Sequence, residues 1–148
     1  RHFPSYTILS SDGFRARLGD SEADQYVTRP AFAALHRALE ARLARGRMTV
    51  VDATNVTAAA RKSLLRLARR SGAPAIALVL DLPAEVAIAR NAARDGHVVP
   101  ETAVRRQLEA IGRADDAALR REGFATVLRL RAPADIATLQ VLLPADRS

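Results

Sequence analysis

Short apolar runs alternate along the chain with longer segments whose apolar residues recur at helical spacing. Each of the short runs is bounded by polar residues, a pattern that predicts strands. At least three of the runs are continuous rather than alternating, which is typical of strands covered on both faces. The predicted strands are SYTILSS (5–11), MTVVDATN (48–55, with its polar tail starting at Asp52), AIALVLDL (75–82) and FATVLRL (124–130).

Helices are predicted between these strands and after the last one. The first begins near Thr28, a candidate cap with Pro30 in the first turn, and runs to about Arg45 before Gly46. Residues 13–29 read instead as polar and irregular. The remaining predicted helices are 57–70, 83–94, a segment from Pro100 with a break near Gly112, 113–122 and 134–143.

This order of elements predicts an α/β fold, with a parallel sheet flanked by helices and joined by right-handed crossovers. The 148 residues fit a single domain, residues 1–148, with one sizeable core. In such sheets ligands bind beyond the carboxyl ends of the strands. Polar residues that directly follow the predicted strands are therefore the candidates for a functional site.

Composition narrows the classes of chemistry. The chain has no cysteine, which excludes disulfides, thiolate metal sites and cysteine nucleophiles and suits a reducing cytosol. No stretch approaches the roughly 20 apolar residues of a membrane helix, and no signal-peptide pattern is present, so a cytoplasmic location is expected. The net charge is +7, and Lys62 is the only lysine among 23 basic residues. Arginine binds phosphate bidentately, so polyanionic partners are favoured.

The first candidate site residues lie in SSDGFR, where the first predicted strand ends. A carboxylate at the strand end, Asp12, can orient and deprotonate a hydroxyl or position a water molecule. Arg15 follows one helical turn later and can hold a phosphate. The alternative is that Asp12 only caps the following turn.

The second candidate site is VVDATN. A carboxylate directly after an apolar strand, here Asp52, is how many phosphoryl-transfer enzymes hold Mg²⁺, either directly or through water. The alternative is again structural, because Thr54, Asn55 or Thr57 can cap the helix that follows.

The third candidate lies in ARNAARDGHVVPETAVRRQ. Arg90 and Arg94 are four residues apart, so both guanidiniums project from one helix face. A pair of helices joined by a charged segment is typical of a mobile lid over a triphosphate, and we call residues 88–122 the lid segment. An ordinary basic surface helix is the alternative.

Two further features carry less information. Residues 57–72 contain no acid but five basic residues, Arg61, Lys62, Arg66, Arg69 and Arg70. The last four share one helix face, which predicts the solvated side of a helix or, as an alternative, a groove for nucleic acid. The three histidines, His2, His36 and His97, match no metal-ligand spacing.

Taken in order, these motifs resemble the kinase domain of the bacterial polynucleotide kinase-phosphatase RNA-repair enzymes, within the P-loop phosphotransferases. The resemblance covers nearly the whole chain, through HF at 2–3, SSDGFR, GRMTVVDATNV, LPAEVAIARNAAR and LRREGF. It implies an ATP- and Mg²⁺-dependent kinase acting on 5′-hydroxyl ends of RNA or DNA. It also implies that phosphatase and ligase modules can accompany such a domain in a parent chain.

The resemblance implies a role for each candidate residue. Asp12 would be the general base, Arg15 would hold a phosphate of the acceptor strand, and Arg90 would clamp the donor phosphates. Asp52 would be the acidic residue near Mg²⁺, within the DATN segment that includes Thr54 and Asn55, and Arg94 would support the lid. His97 stands where a further lid arginine is expected.

One family feature is missing. The phosphate loop G-x-x-x-x-G-K-S/T does not occur in these 148 residues, and Lys62 lies far along a predicted helix. In the family this loop follows a strand that takes the centre of the sheet, between the VVDAT and AIALVL strands. We therefore expect the chain to be a fragment of a longer kinase that is inactive alone.

Two alternatives to a polynucleotide kinase remain. A P-loop kinase of a small molecule, such as a sugar, nucleoside or antibiotic, also uses Asp-x-x-Arg and an arginine-rich lid. The other is a non-catalytic binding module that has lost its phosphate loop.

Overall fold

The computed structural model describes residues 2–18, 28–94 and 98–141. Within these ranges, strands and helices alternate as the sequence predicts, so the α/β class is confirmed. The strands are short, and each is followed by a helix, a connection that parallel pairing requires. They are β1 (Ile8–Ser10), β2 (Val50–Asp52), β3 (Ile76–Leu80) and β4 (Thr126–Leu130).

The helices alternate with these strands along the chain, and a short 3₁₀ helix, Ser5–Thr7, precedes β1. Several boundaries follow local signals in the sequence. Thr57 caps α3, since its Oγ1 atom accepts a hydrogen bond from the Ala60 N–H at 3.2 Å. Gly72 adopts φ +64° just after that helix ends. The helices are α1 (Ser11–Leu18), α2 (Thr28–Leu43), α3 (Ala58–Arg70), α4 (Ala84–Ala92), α5 (Glu101–Arg113), α6 (Asp116–Glu122) and α7 (Pro133–Thr138).

The strands form two parallel pairs rather than one continuous sheet. β1 pairs with β2 and places Ser10 opposite Asp52, whereas β3 pairs with β4. Among the described residues no ladder joins β2 to β3, the two strands between which the family resemblance places a further strand. The sequence prediction of parallel strands is confirmed, and the prediction of a single sheet is corrected to two small ones.

The expectation that the strands are covered on both faces is wrong for β3. Its side chains alternate: Ala77 is buried, whereas Ile76 is 60% exposed and Leu80 is 48% exposed. On the buried face, Ala77, Val127 of β4 and Leu119 of α6 form a core cluster. A helix therefore covers one face of this pair, and apolar residues of the other face reach solvent.

A second buried region surrounds α2. This helix buries one apolar face, since Leu35 is fully buried and Leu39 is 5% exposed. Ala31, one turn before Leu35, is also buried, and α2 packs against α1, β1 and α3. This packing holds the β1–β2 pair and its following helices together, and it thereby fixes the carboxyl ends of both strands.

Several predicted boundaries are corrected. The strand predicted at 5–11 is confined to Ile8–Ser10, and the segment predicted as irregular from residue 13 is helical through Leu18. The helix from Pro100 does not break near Gly112 but continues to Arg113. The helix predicted at 134–143 begins at Pro133 and ends at Thr138, and residues 139–141 are not helical. The predictions for 19–27, for the Thr28 side chain as a cap and for His97 lie outside the described residues.

Of the helices within 2–18, 28–94 and 98–141, none combines the length and the apolar composition needed to cross a bilayer.

Candidate active site

The candidate site begins where β1 passes into α1. Here Ser10 takes the capping role, since its Oγ atom accepts a hydrogen bond from the Gly13 N–H at 3.4 Å. Asp12 lies in the first turn of α1 rather than at the end of the strand, and its Oδ1 atom accepts a hydrogen bond from Arg15 Nη2. The carboxylate is therefore engaged by a guanidinium, and the capping alternative is not what the structure displays.

Asp12 also meets the lid segment. Arg94, just after the end of α4, places its Nη2 atom 3.7 Å from Asp12 Oδ2. The Asp12 side chain is 36% exposed and that of Arg94 is 49% exposed, so both groups remain accessible to solvent. The first and third sequence motifs thus meet in space, with one carboxylate between two guanidiniums.

Arg15 has one hydrogen-bond donor that Asp12 does not use. Its Nε atom is buried and has no hydrogen-bond partner in the described part of the chain. A buried donor without a partner is unfavourable by about 1–3 kcal/mol. The guanidinium beside Asp12 can therefore bind an additional anion, such as a phosphate, when the side chain turns and exposes its Nε edge.

Asp52 ends β2 and is exposed. The strand register sets it opposite Ser10, two residues before Asp12. Among the described residues, its side chain forms neither a hydrogen bond nor an ion pair, so the carboxylate is available to a cation. In 2–18, 28–94 and 98–141 no group of three His, Asp or Glu side chains is arranged to hold a metal. Mg²⁺ often takes only one or two protein carboxylates and completes its shell with water and phosphate.

Thr54 and Asn55 follow Asp52 in the loop that leads into α3. Thr54 is exposed and Asn55 is half-buried. The Asn55 carbonyl oxygen accepts a hydrogen bond from Arg61 Nη1 at 2.9 Å, which fixes the backbone of the loop. Within the described ranges, neither side chain is hydrogen-bonded to Asp12 or Arg94.

Arg90 lies in the last turn of α4 and is exposed. Among the described residues it has no ion-pair partner, so the structure does not bring it into contact with Asp12 as it does Arg94. The next residue, Asn91, was not recognised from the sequence. Its Nδ2 donates to the Val99 carbonyl at 2.7 Å and its Oδ1 accepts from the Val99 N–H at 3.1 Å. These two hydrogen bonds tie the last turn of α4 to Val99, which lies two residues before α5.

The basic face of α3 divides into two parts. Lys62, Arg66, Arg69 and Arg70 are exposed, as expected for a solvated face. Arg61 is instead 8% exposed and paired with Glu122. A count of charges along a helix cannot reveal this, because the partner is 61 residues away.

Parallel strands with carboxylates at their ends, beside guanidiniums from a helical segment, define a P-loop-kinase-like class of domain. A protein-family model described as an AAA domain matches residues 1–114, and the chain belongs to this family. At this level the domain is of a nucleotide-binding, kinase-like type. The matched range includes Asp12, Asp52, Arg90 and Arg94. No curated protein matches the chain significantly.

The described residues fit part of what ATP and Mg²⁺ require. Asp52 supplies an unengaged carboxylate for the metal, and Arg90 and Arg94 supply cations for phosphate oxygens. The cradle of backbone N–H groups for the β-phosphate is not encoded in residues 1–148, since the phosphate-loop motif is missing and Lys62 lies exposed on α3.

Proposed function

We propose that this domain is the ATP-dependent kinase domain of a nucleic-acid end-repair enzyme, which phosphorylates 5′-hydroxyl ends of RNA or DNA. It acts together with a phosphate loop that lies outside residues 1–148. The observation that carries the proposal is the position of Asp12 between Arg15 and Arg94. A base beside cations is what a phosphoryl transfer to a hydroxyl needs.

Asp12 accepts the proton of the attacking hydroxyl. Arg15 holds a phosphate of the acceptor strand through donors that Asp12 does not use. The Arg94–Asp12 separation of 3.7 Å exceeds the 2.7–2.9 Å of a good charged hydrogen bond, so this pair is loose. A phosphate oxygen therefore competes readily for Arg94, and its arrival leaves the Asp12 carboxylate free to act as a base.

The arginines of the lid segment act on the phosphates of the phosphoryl donor, ATP. Arg90 and Arg94 neutralise the charge on the phosphates while the group is transferred, a contribution that is electrostatic and depends on position. Mg²⁺, when bound, supplies further charge neutralisation. Asp52 would hold the ion, directly or through water.

Two features favour a polynucleotide over a small acceptor. The full series of motifs, including VVDATN and REGF, resembles that of the end-repair kinases. The net charge of +7 and the exposed basic face of α3 suit a polyanion. A small-molecule kinase and a non-catalytic binding module are the alternatives that the experiment separates.

The test uses the chain with a phosphate-loop segment supplied ahead of residue 1, incubated with γ-labelled ATP and Mg²⁺. The acceptors are a 5′-hydroxyl RNA, a 5′-hydroxyl DNA, a nucleoside, a sugar and an aminoglycoside. We expect label on an oligonucleotide and none on the small molecules. Label confined to a small molecule shows that the protein is a small-molecule kinase. No label on any acceptor shows that it is a non-catalytic binding module.

A further inference from the structure

An ion pair between distant parts of the described chain involves two residues that have no role in the candidate site. Arg61 of α3 grips Glu122 of α6 with two parallel bonds: Nε to Oε2 at 2.7 Å and Nη2 to Oε1 at 2.6 Å. The Arg61 side chain is 10% exposed and that of Glu122 is 23% exposed. Such bidentate pairs fix the orientation of both groups, not only their distance.

The remaining edge of Arg61 reaches the loop after β2. Its Nη1 atom donates to the Asn55 carbonyl at 2.9 Å, three residues beyond Asp52. One guanidinium therefore joins a loop and a helix. The loop, residues 53–57, continues from the strand that carries Asp52. The helix, α6, belongs to the lid segment.

This contact between the Asp52 loop and α6 matters because strand pairing does not connect the two small sheets. In the described part of the chain no ladder joins the β1–β2 pair to the β3–β4 pair. The Asp52 loop belongs to the first pair, whereas α6 packs on the second. The packing of α3 against α6, with the Arg61–Glu122 pair in it, is thus a principal connection between the two halves.

This arrangement explains the structural roles of three residues in the REGF segment, residues 121–124. Glu122 is the last residue of α6 and pairs with Arg61, and Gly123 adopts φ +122°, a conformation that L side chains rarely take. Phe124 then packs against the core cluster beneath β3 and β4. Gly123 and Phe124 anchor the end of α6 and so set the position from which Glu122 meets Arg61.

We propose that Arg61 and Glu122 are positioning residues that hold the Asp52 loop in place against the base of the lid segment. Neither touches the reacting groups. They act through the Asn55 backbone and so determine where the Asp52 carboxylate stands. The consequence for Mg²⁺ binding rests on the proposed function, whereas the effect on the loop does not.

The chemistry of the pair specifies the informative variants. Glu122→Gln keeps the shape but removes the charge and one acceptor. Arg61→Lys keeps the charge but loses the fork that serves Glu122 and Asn55 together. The double variant Arg61→Met with Glu122→Leu removes both charges, so it leaves no buried ion unpaired and folds even if a single variant does not.

The first experiment measures the position of the loop directly. Because the chain has no cysteine, Thr54→Cys and Ala117→Cys, both at exposed positions, accept a pair of spin labels. In the wild type we expect a narrow distribution of distances between the two labels. It should broaden in all three variants, because loss of the charged hydrogen bonds raises the population in which the loop is detached from α6 by about tenfold or more. Matched controls are Arg70→Lys and Glu40→Gln, which alter an exposed pair at 3.9 Å on neighbouring helices.

The second experiment measures the Mg²⁺ concentration for half-maximal phosphoryl transfer in the chain with the phosphate loop supplied. We expect an increase of about tenfold in Glu122→Gln, with the KM for the oligonucleotide unchanged. A distribution as narrow as in the controls overturns the proposal, whether or not the protein is a kinase. A broadened distribution with an unchanged Mg²⁺ requirement overturns the link to Asp52. If the parent protein transfers no phosphate, the proposed function fails and the distance measurement still decides the positioning role.

Discussion

Asp12 Oδ2 and Arg94 Nη2 lie 3.7 Å apart, which joins the first turn of α1 to the segment that follows α4. The two residues come from motifs that are distant in the sequence. Arg15 approaches the other oxygen of the same carboxylate. A carboxylate, a guanidinium on its own helix and a guanidinium from the lid segment therefore meet where β1 passes into α1.

Replacing Arg94 tests the lid side of this arrangement. We predict that Arg94→Ala lowers kcat for 5′-hydroxyl phosphorylation by about hundredfold or more, the scale on which removal of a single charge-stabilising donor acts. Arg45→Ala, an exposed arginine in the turn after α2, should leave kcat unchanged. Steady-state kinetics with a saturating oligonucleotide measures both, and equal rates in the two variants would remove Arg94 from the site.

Asp52 is predicted to act through the metal. Asp52→Asn keeps the size of the side chain but lowers its affinity for a hard cation, which prefers charged oxygen ligands. We expect a higher Mg²⁺ requirement and a kcat that recovers partly at high Mg²⁺. A Mg²⁺ titration of the rate measures this effect, and an unchanged titration curve shows that the carboxylate does not serve the metal.

The packing of α2 gives a prediction that is independent of function. Leu35 is fully buried, so Leu35→Ala leaves a cavity and should lower the free energy of unfolding by about 2–5 kcal/mol. Leu18→Ala, at a residue that is 48% exposed, should change it by less than about 0.5 kcal/mol. Urea denaturation followed by circular dichroism compares the two, and similar midpoints would contradict the described core.

Stability should fall in acid because of two carboxyls. The hydrogen bond from Arg129 holds the pKa of Asp116 below its ordinary value of 3.8. The backbone N–H groups of Ala132 and Arg131 likewise lower the pKa of Asp135. The unfolded chain therefore binds protons at a higher pH than the folded one, so this stabilisation is present above about pH 4 and is lost as the pH falls through the lowered values.

The Asp116 contribution is isolated with Asp116→Asn, which should be less stable than the wild type at neutral pH. Its urea midpoint should fall less between about pH 6 and pH 3 than that of the wild type. If both proteins lose stability in parallel over this range, Asp116 is not the source of the acid sensitivity.

Local signals account for most of the predicted elements. The helix at 57–70 was placed within one residue because Thr57 caps it and Gly72 follows it. Helix α1 was missed because residues 11–18 have few apolar positions and include Gly13. What stabilises it is packing against α2, a tertiary interaction that periodicity in eight residues does not encode. The separation into two sheets likewise depends on pairing between distant strands.

In the candidate site, too, features set by local sequence could be predicted and features set by tertiary contacts could not. Asp12 and Arg15 were both singled out from the SSDGFR segment, and their direct contact follows from helix α1, which was not predicted. The approach of Arg94 to Asp12 was not predicted, because the family resemblance implies only that Arg94 supports the lid. The burial of Arg61 was not predicted, because the identity of its partner depends on how α3 meets α6.

The rate of phosphoryl transfer in Asp12→Asn tests the central claim most directly. The variant keeps the shape of the side chain but cannot accept the proton of the hydroxyl, and Asp135→Asn at the start of α7 is its control. In the chain with the phosphate loop supplied, we predict a loss of at least about hundredfold in single-turnover transfer to a 5′-hydroxyl oligonucleotide, with oligonucleotide binding retained and the control active. Transfer by Asp12→Asn at the rate of the control would contradict the assignment of Asp12 as the base.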